Sequence, residues 1–170
     1  NFYFNNSWTL LTQTSAILLK FGISTKIVSL ILVFFLNIIL FYSCFLILNK
    51  FIDNFALSLS ICLFIIFFQK NLGDTDYPSL IYTVHTFGAY SQALVGLIIA
   101  SLLYNNLRFS ILLSFLLFII HPIVGLWVLS IILSLTLILK EVSNLKKFFI
   151  YIAPGVILAG LSLSFFLLTS

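Results

Sequence analysis

Long apolar runs alternate with short polar interruptions along this chain, and the lengths of the runs predict its elements. Ile27 to Leu48 is broken only by serine, Asn37, Tyr42 and Cys44. As a helix it would reach about 33 Å, enough for a hydrocarbon core of about 30 Å. Asp53 and Asn54 supply helix N-cap chemistry ahead of a shorter apolar run, 55–68. Residues 69–83, QKNLGDTDYPSLIYT, carry Gly73, Pro78, Asp74 and Asp76 and read as the one long polar loop. A further span is expected over 84–104. On it Ala89, Ala93, Gly96 and Ala100 recur at steps of three and four residues, a stripe that lets helix backbones approach closely. Gly88, His85 and Gln92 fall on or beside that face and are expected to point into protein, Gln92 most simply as an interhelical hydrogen bond.

The stretch from Ser110 to Leu139 is harder to read. A single helix would run about 45 Å, too long for one crossing at the usual tilts of about 0–40°. His121, Pro122 and Gly125 interrupt it at the middle. Proline removes a helical hydrogen bond and disfavours helix at the residue before it, and a bare histidine is costly at bilayer depth. Two short helices, 110–120 and 123–139, meeting at a His121–Pro122 corner are expected, either as a hairpin or as one kinked crossing. A basic loop with Lys140, Glu141, Lys146 and Lys147 precedes a last span, 148–168, which Pro154 and Gly155 are expected to kink. Residues 7–20 read as an interfacial helix or the tail of an earlier span.

Composition turns these runs into a solvent assignment. Of 170 residues, 62% are hydrophobic and 7% charged, against usual values of about 45–50% and 25%, and the mean hydropathy is +1.27. No folded sphere of this size hides that much apolar surface from water, so the expected fold is an all-α polytopic transmembrane bundle of about five or six membrane helices. The whole of 1–170 reads as a single transmembrane region. The net charge of +4 then belongs to cytoplasmic loops rather than to a nucleic-acid surface. The chain starts at Asn1 and contains no methionine, which points to a fragment of a longer polypeptide or a processed product. Cys44 and Cys62 lie inside apolar runs, with no spacing that suggests zinc. No Gly-rich phosphate loop, GxSxG elbow or HExxH is present.

The two topologies distribute charge differently. A single crossing of 110–139 gathers Lys20, Lys26, Lys70, Lys140, Lys146 and Lys147 on one side, against Lys50 and Arg108. A hairpin moves the 140–147 loop over to Lys50 and Arg108, and the positive-inside rule then puts Asp74, Asp76 and His121 on the outer face. Charge alone favours the single crossing. Helix length and the mid-run His-Pro favour the hairpin, and the balance falls on the hairpin.

Candidate chemistry is sparse. In an extended segment Asp74 and Asp76 point to the same side, a pair able to hold a divalent cation or to raise the pKa of one member for use as a base. His85 lies just downstream, and in the hairpin topology His121 reaches the same rim, a set suited to acid–base work or to a pyrophosphate-bound cation. The plainer readings are solvated turn chemistry for the acids, a corner-stabilising hydrogen bond for His121 and an interfacial position for His85.

One order of features is familiar. A loop with acidic residues and Tyr77-Pro78 leads into a helix beginning Thr86-Phe87-Gly88. A turn with Arg108 follows, then an apolar helix ending in His121-Pro122-Ile123-Val124-Gly125-Leu126. Over about residues 70–140 this resembles a segment of polytopic bacterial membrane proteins of the GT-C glycosyltransferase type and related families. The resemblance implies a bacterial inner-membrane enzyme that uses a lipid-phosphate-linked sugar at the outer face. Asp74, Asp76 and His121 are then the catalytic candidates, and His85, Tyr77 and Gln92 the substrate contacts. The implied partners are the lipid bilayer, the lipid-linked sugar and other membrane proteins, with no nucleic acid. The catalytic acid of that class usually lies in an early outer loop, and residues 1–50 contain none, so the resemblance implies a catalytic carboxylate outside this fragment, with Asp74 and Asp76 as secondary candidates for cation or substrate binding. Two other functions stand beside this one. The chain is alternatively part of a transporter whose broken helix lines a midplane site, or a non-catalytic subunit that packs on partners through the Ala89–Ala100 stripe.

Overall fold

In the computed structural model, residues 9–68, 87–138 and 145–169 are described. Within them the chain is all α-helix, with seven helices and no strand. They are α1 (Leu10–Lys20), α2 (Thr25–Ile52), α3 (Phe55–Phe68), α4 (Phe87–Leu103), α5 (Leu107–Ile120), α6 (Pro122–Ile138) and α7 (Leu145–Thr169). Of these, α2 is long and apolar enough to cross a membrane by length and composition.

Helix ends follow local backbone chemistry rather than the edges of the apolar runs. α1 stops at Gly22, whose φ of +79° is left-handed and suits a residue without Cβ. α2 runs past Leu48 because Asn49 and Lys50 are tolerated in a helix. It ends where Asp53 takes φ +49° and the Asn54 side chain accepts the Leu57 amide of α3 at 3.0 Å. The turn from α4 to α5 is tied more heavily. Asn105 is left-handed at φ +55°, the Asn106 side chain accepts from the Phe109 amide at 3.2 Å, and the Ser101 hydroxyl donates to the Asn106 carbonyl at 2.9 Å. α7 is continuous from Leu145 to Thr169 with Pro154 inside it.

Contacts between helices fix their directions. Tyr90 donates its hydroxyl to the Leu32 carbonyl, Gly96 lies against Ser43, and the Tyr104 hydroxyl reaches the Leu46 carbonyl at 3.3 Å. Residue numbers rise together along this pairing, so α2 and α4 are parallel. α3 is antiparallel to α2, because Phe45 packs edge-on against Phe55 with ring centroids 5.2 Å apart while the Cys62 thiol reaches the Phe41 carbonyl at 3.6 Å. Arg108 lies over Tyr151 and Phe115 against Gly155, which makes α5 and α7 parallel. α5 and α6 pack side by side as a hairpin, and Gly125 presses so close to Leu117 and Phe118 that a Cβ would collide with their backbone.

The bundle therefore has two ends. The proximal end holds α1, the start of α2, the end of α3, the start of α4, the His121 turn and the end of α7. The distal end holds the turns at 53–54 and 104–106, the end of α6 and the start of α7. The core lies between α2, α4, α5 and α6, around Leu36, Leu94, Ile98, Ile111, Leu117 and Ile132. α5 is its centre and packs on α4, α6 and α7. Hydroxyls are buried with these residues. Ser114 donates to the Ser110 carbonyl at 2.8 Å and Thr136 to the Ile132 carbonyl at 2.7 Å, each satisfied within its own helix. Large apolar side chains such as Leu30, Phe34, Ile123 and Trp127 face outward.

Candidate functional site

The proximal end concentrates the features with chemical potential. His121 is the hinge of the α5–α6 hairpin, with extended backbone at φ −137°, ψ 91°. Its amide donates to the Leu117 carbonyl at 2.7 Å and its carbonyl accepts from Gly125 at 2.8 Å, closing α5 and opening α6. Nδ1 accepts the Val124 amide at 3.5 Å, a cap on the first turn of α6. With Nδ1 turned to the backbone, Nε2 is the ring's other nitrogen. Pro122 follows at the first helical position, where its missing N–H is not needed. Half-buried at a helix junction, the imidazole serves the corner structurally and still presents a second nitrogen for proton transfer.

Beside α2 lies a cavity of about 390 Å³. α1 contributes Leu11, Thr12, Ser15 and Leu19, α2 contributes Thr25, Val28 and Ser29, and Phe87 closes it at the start of α4. The wall is part hydroxyl and part aliphatic, an amphipathic lining. Lys20 and Lys26, neighbours in sequence of Leu19 and Thr25, are exposed. α1 is held over this end by Gln13, whose amide donates to the Ser162 carbonyl of α7 at 3.0 Å. The Ser162 hydroxyl returns a bond to Gln13 Oε1 at 3.3 Å.

The remaining sequence candidates are distributed as follows. Asp74, Asp76, Tyr77 and His85 lie outside the described residues. Gln92, expected to point into protein, is instead exposed. Around α4 the buried arc runs from Ala89, Ala93 and Ala100 through Tyr90 and Leu94 to Ile98, and Gln92 and Ile99, two turns apart, lie on the exposed side beyond its edge. The small-residue stripe is consumed inside the chain. Ala89, Ala93 and Ala100 are buried, and a Cβ on Gly96 would meet the Ser43 hydroxyl at 3.0 Å, so the stripe does not offer a free face to a partner. Among the described residues no group of three or more His, Cys, Asp or Glu is arranged to hold a metal.

Sequence reading missed the cavity and the Gln13–Ser162 pair. Thr12, Ser15 and Leu19 share one face of α1, and Thr25, Val28 and Ser29 one face of α2, a spacing visible in the sequence. What the spacing lacks is any sign that the two faces meet, or that Gln13 finds a partner 149 residues away. No family model, curated protein or solved structure matches this chain.

Proposed function

We propose that this chain is a membrane-embedded part of a polytopic glycosyltransferase of GT-C type, acting at the outer face of a bacterial inner membrane on a lipid-phosphate-linked sugar. Embedding rests on an apolar outer surface laid over a core that is itself largely apolar and carries buried hydroxyls. Hydroxyls of Ser110, Ser114 and Thr136 are inside, while Leu, Ile, Phe and Trp cover the outside. In water that surface would associate; in lipid it is solvated, and helices pack through small and hydroxyl residues. α2 fits the same reading, since only 17% of its most apolar stretch is buried and a soluble core helix would be mostly covered.

The observation that carries the enzymatic reading is the shared end. α3 finishes and α4 starts at the proximal end, so the 69–86 connection with Asp74, Asp76 and His85 leaves from and returns to the end that holds the His121 turn. α6 ends and α7 starts at the distal end with Lys50 and Arg108, and Lys140 and Glu141 stand between those two helices in sequence. By the positive-inside rule the distal end is cytoplasmic and the proximal end outer. In this arrangement an aspartate acts as base toward the acceptor or holds a divalent cation against the donor pyrophosphate, while His121 Nε2 exchanges a proton. The transporter reading needs His121 at the midplane, and a histidine at a helix-pair turn fits it less well.

The test is transfer of radiolabelled sugar from a lipid-phosphate-linked donor in membranes containing the chain. Asp76→Asn and His121→Asn are expected to abolish transfer at unchanged abundance, since asparagine retains a side-chain cap for α6. Full transfer in both variants would overturn the proposal.

A further inference from the structure

At the distal end two cations stand over rings, and among the described residues neither donates a hydrogen bond. Lys50 Nζ, in the last turn of α2, stands 5.3 Å from the centroid of Tyr104. The Arg108 guanidinium, in the first turn of α5, stands 4.4 Å from the centroid of Tyr151 on α7. The Tyr104 ring is itself fixed, because its hydroxyl donates to the Leu46 carbonyl at 3.3 Å and lies 3.5 Å from the Asn49 side-chain amide. Tyr104 and Arg108 flank the α4–α5 turn, so the four side chains bring α2, α4, α5 and α7 together at one end of the bundle. Lys50, Tyr104 and Arg108 are exposed. Asp53 is the described carboxylate at this end, and among the described residues neither cation forms an ion pair with it.

A ring face steers a cation without neutralising it. The ammonium carries three N–H donors and the guanidinium five, on exposed side chains beside tyrosines, the pairing that marks a bilayer interface. The matching group is an anionic oxygen cluster at the same depth, and guanidinium and ammonium are the side chains that bind phosphate. We infer that the Lys50–Tyr104 and Arg108–Tyr151 pairs form a binding site for the phosphodiester head group of an anionic phospholipid. The inference rests on the membrane-embedded reading of the chain and is independent of the glycosyltransferase assignment. Its physical basis is that each cation near an anionic leaflet contributes attraction that a zwitterionic head group does not return.

The experiment reconstitutes the full chain in phosphatidylcholine vesicles carrying trace spin-labelled phosphatidylglycerol or spin-labelled phosphatidylcholine, and reads the motionally restricted fraction of each. The wild-type chain is expected to restrict phosphatidylglycerol in preference to phosphatidylcholine. Lys50→Gln and Arg108→Gln are each expected to reduce that preference on the order of fivefold, whereas Arg108→Lys keeps most of it. Raising the ionic strength is expected to erode it as well. Restriction of both lipids without preference, or a preference unchanged in both glutamine variants, would overturn the site while leaving the membrane reading intact. Restriction of neither lipid would overturn the membrane reading and the site with it.

Discussion

Gly125 stands where α6 leaves the His121 turn, and a methyl group there would overlap the backbone of Phe118. Backbone cannot rotate aside as a side chain does, so Gly125→Ala forces the α5–α6 hairpin apart. A loss of about 3 kcal/mol is expected, the upper part of the range for overpacking. Gly160 is the internal control. It too lies in a helix, but a Cβ there meets nothing within 4 Å, so Gly160→Ala is expected to gain about 0.5–1 kcal/mol through helix propensity. Unfolding of the purified chain in a denaturing detergent series, followed by circular dichroism, separates the two, and an unshifted midpoint for Gly125→Ala would contradict the close approach. The sequence marks Gly125 only as a helix interruption beside Pro122. That it is a contact point, and that Gly160 is not, depends on which backbone lies opposite.

At the scale of elements, α1 is the least anchored helix. Its packing on α2 and α5 is slight, and Gln13 and Ser162 supply a reciprocal polar link to α7. Hydrogen bonds of this kind between helices in an apolar medium are worth about 0.6–2 kcal/mol. Gln13→Leu keeps the volume and removes the link. Hydrogen exchange at the amides of residues 10–20 is expected to accelerate severalfold, with exchange in α4 and α5 unchanged; equal protection of α1 in the variant would mean that other contacts hold it. α1 was legible as a helix within 7–20, and α3, α5 and α6 from run lengths and the His-Pro break. The lengths of α2 and α7 were less so, because an apolar run measures where solvent changes and a helix stops only where backbone geometry forces it to.

For the whole molecule, direction matters most. Parallel α2 and α4 with antiparallel α3 between them in sequence, followed by the α5–α6 hairpin, put the end of α3 and the start of α4 at one end of the bundle and the end of α6 and the start of α7 at the other. Single cysteines at Thr75 and Ser143, introduced by Thr75→Cys and Ser143→Cys with Cys44 and Cys62 replaced by alanine, report this directly. A membrane-impermeant thiol reagent is expected to label them from opposite sides, Ser143→Cys from the cytoplasm. Labelling from one side would mean that 110–139 crosses once and would move His121 into the bilayer interior. Of the candidate site, the His121 corner was readable because proline and histidine are conspicuous in an apolar run. The inward turn expected of Gln92 failed because α4 is apolar nearly all round, and one polar residue carries little information about which face is covered.

Composition and run length by themselves determined that this chain is helical, that its helices are apolar on most faces, and where most of the breaks fall. Those properties follow from local chemistry, which acts within a few residues: proline without a donor, asparagine as a cap, glycine at positive φ. The tertiary structure alone decided which helix lies against which, in which direction and with which face inward. A helix in water advertises its buried side by polarity, whereas a helix apolar all round has no such stripe to read. Its neighbours are chosen by fit: Gly96 against Ser43, Gly125 against the α5 backbone, Gly155 against the ring of Phe115. Such fits join residues far apart in sequence, and their geometry exists only once the helices have met.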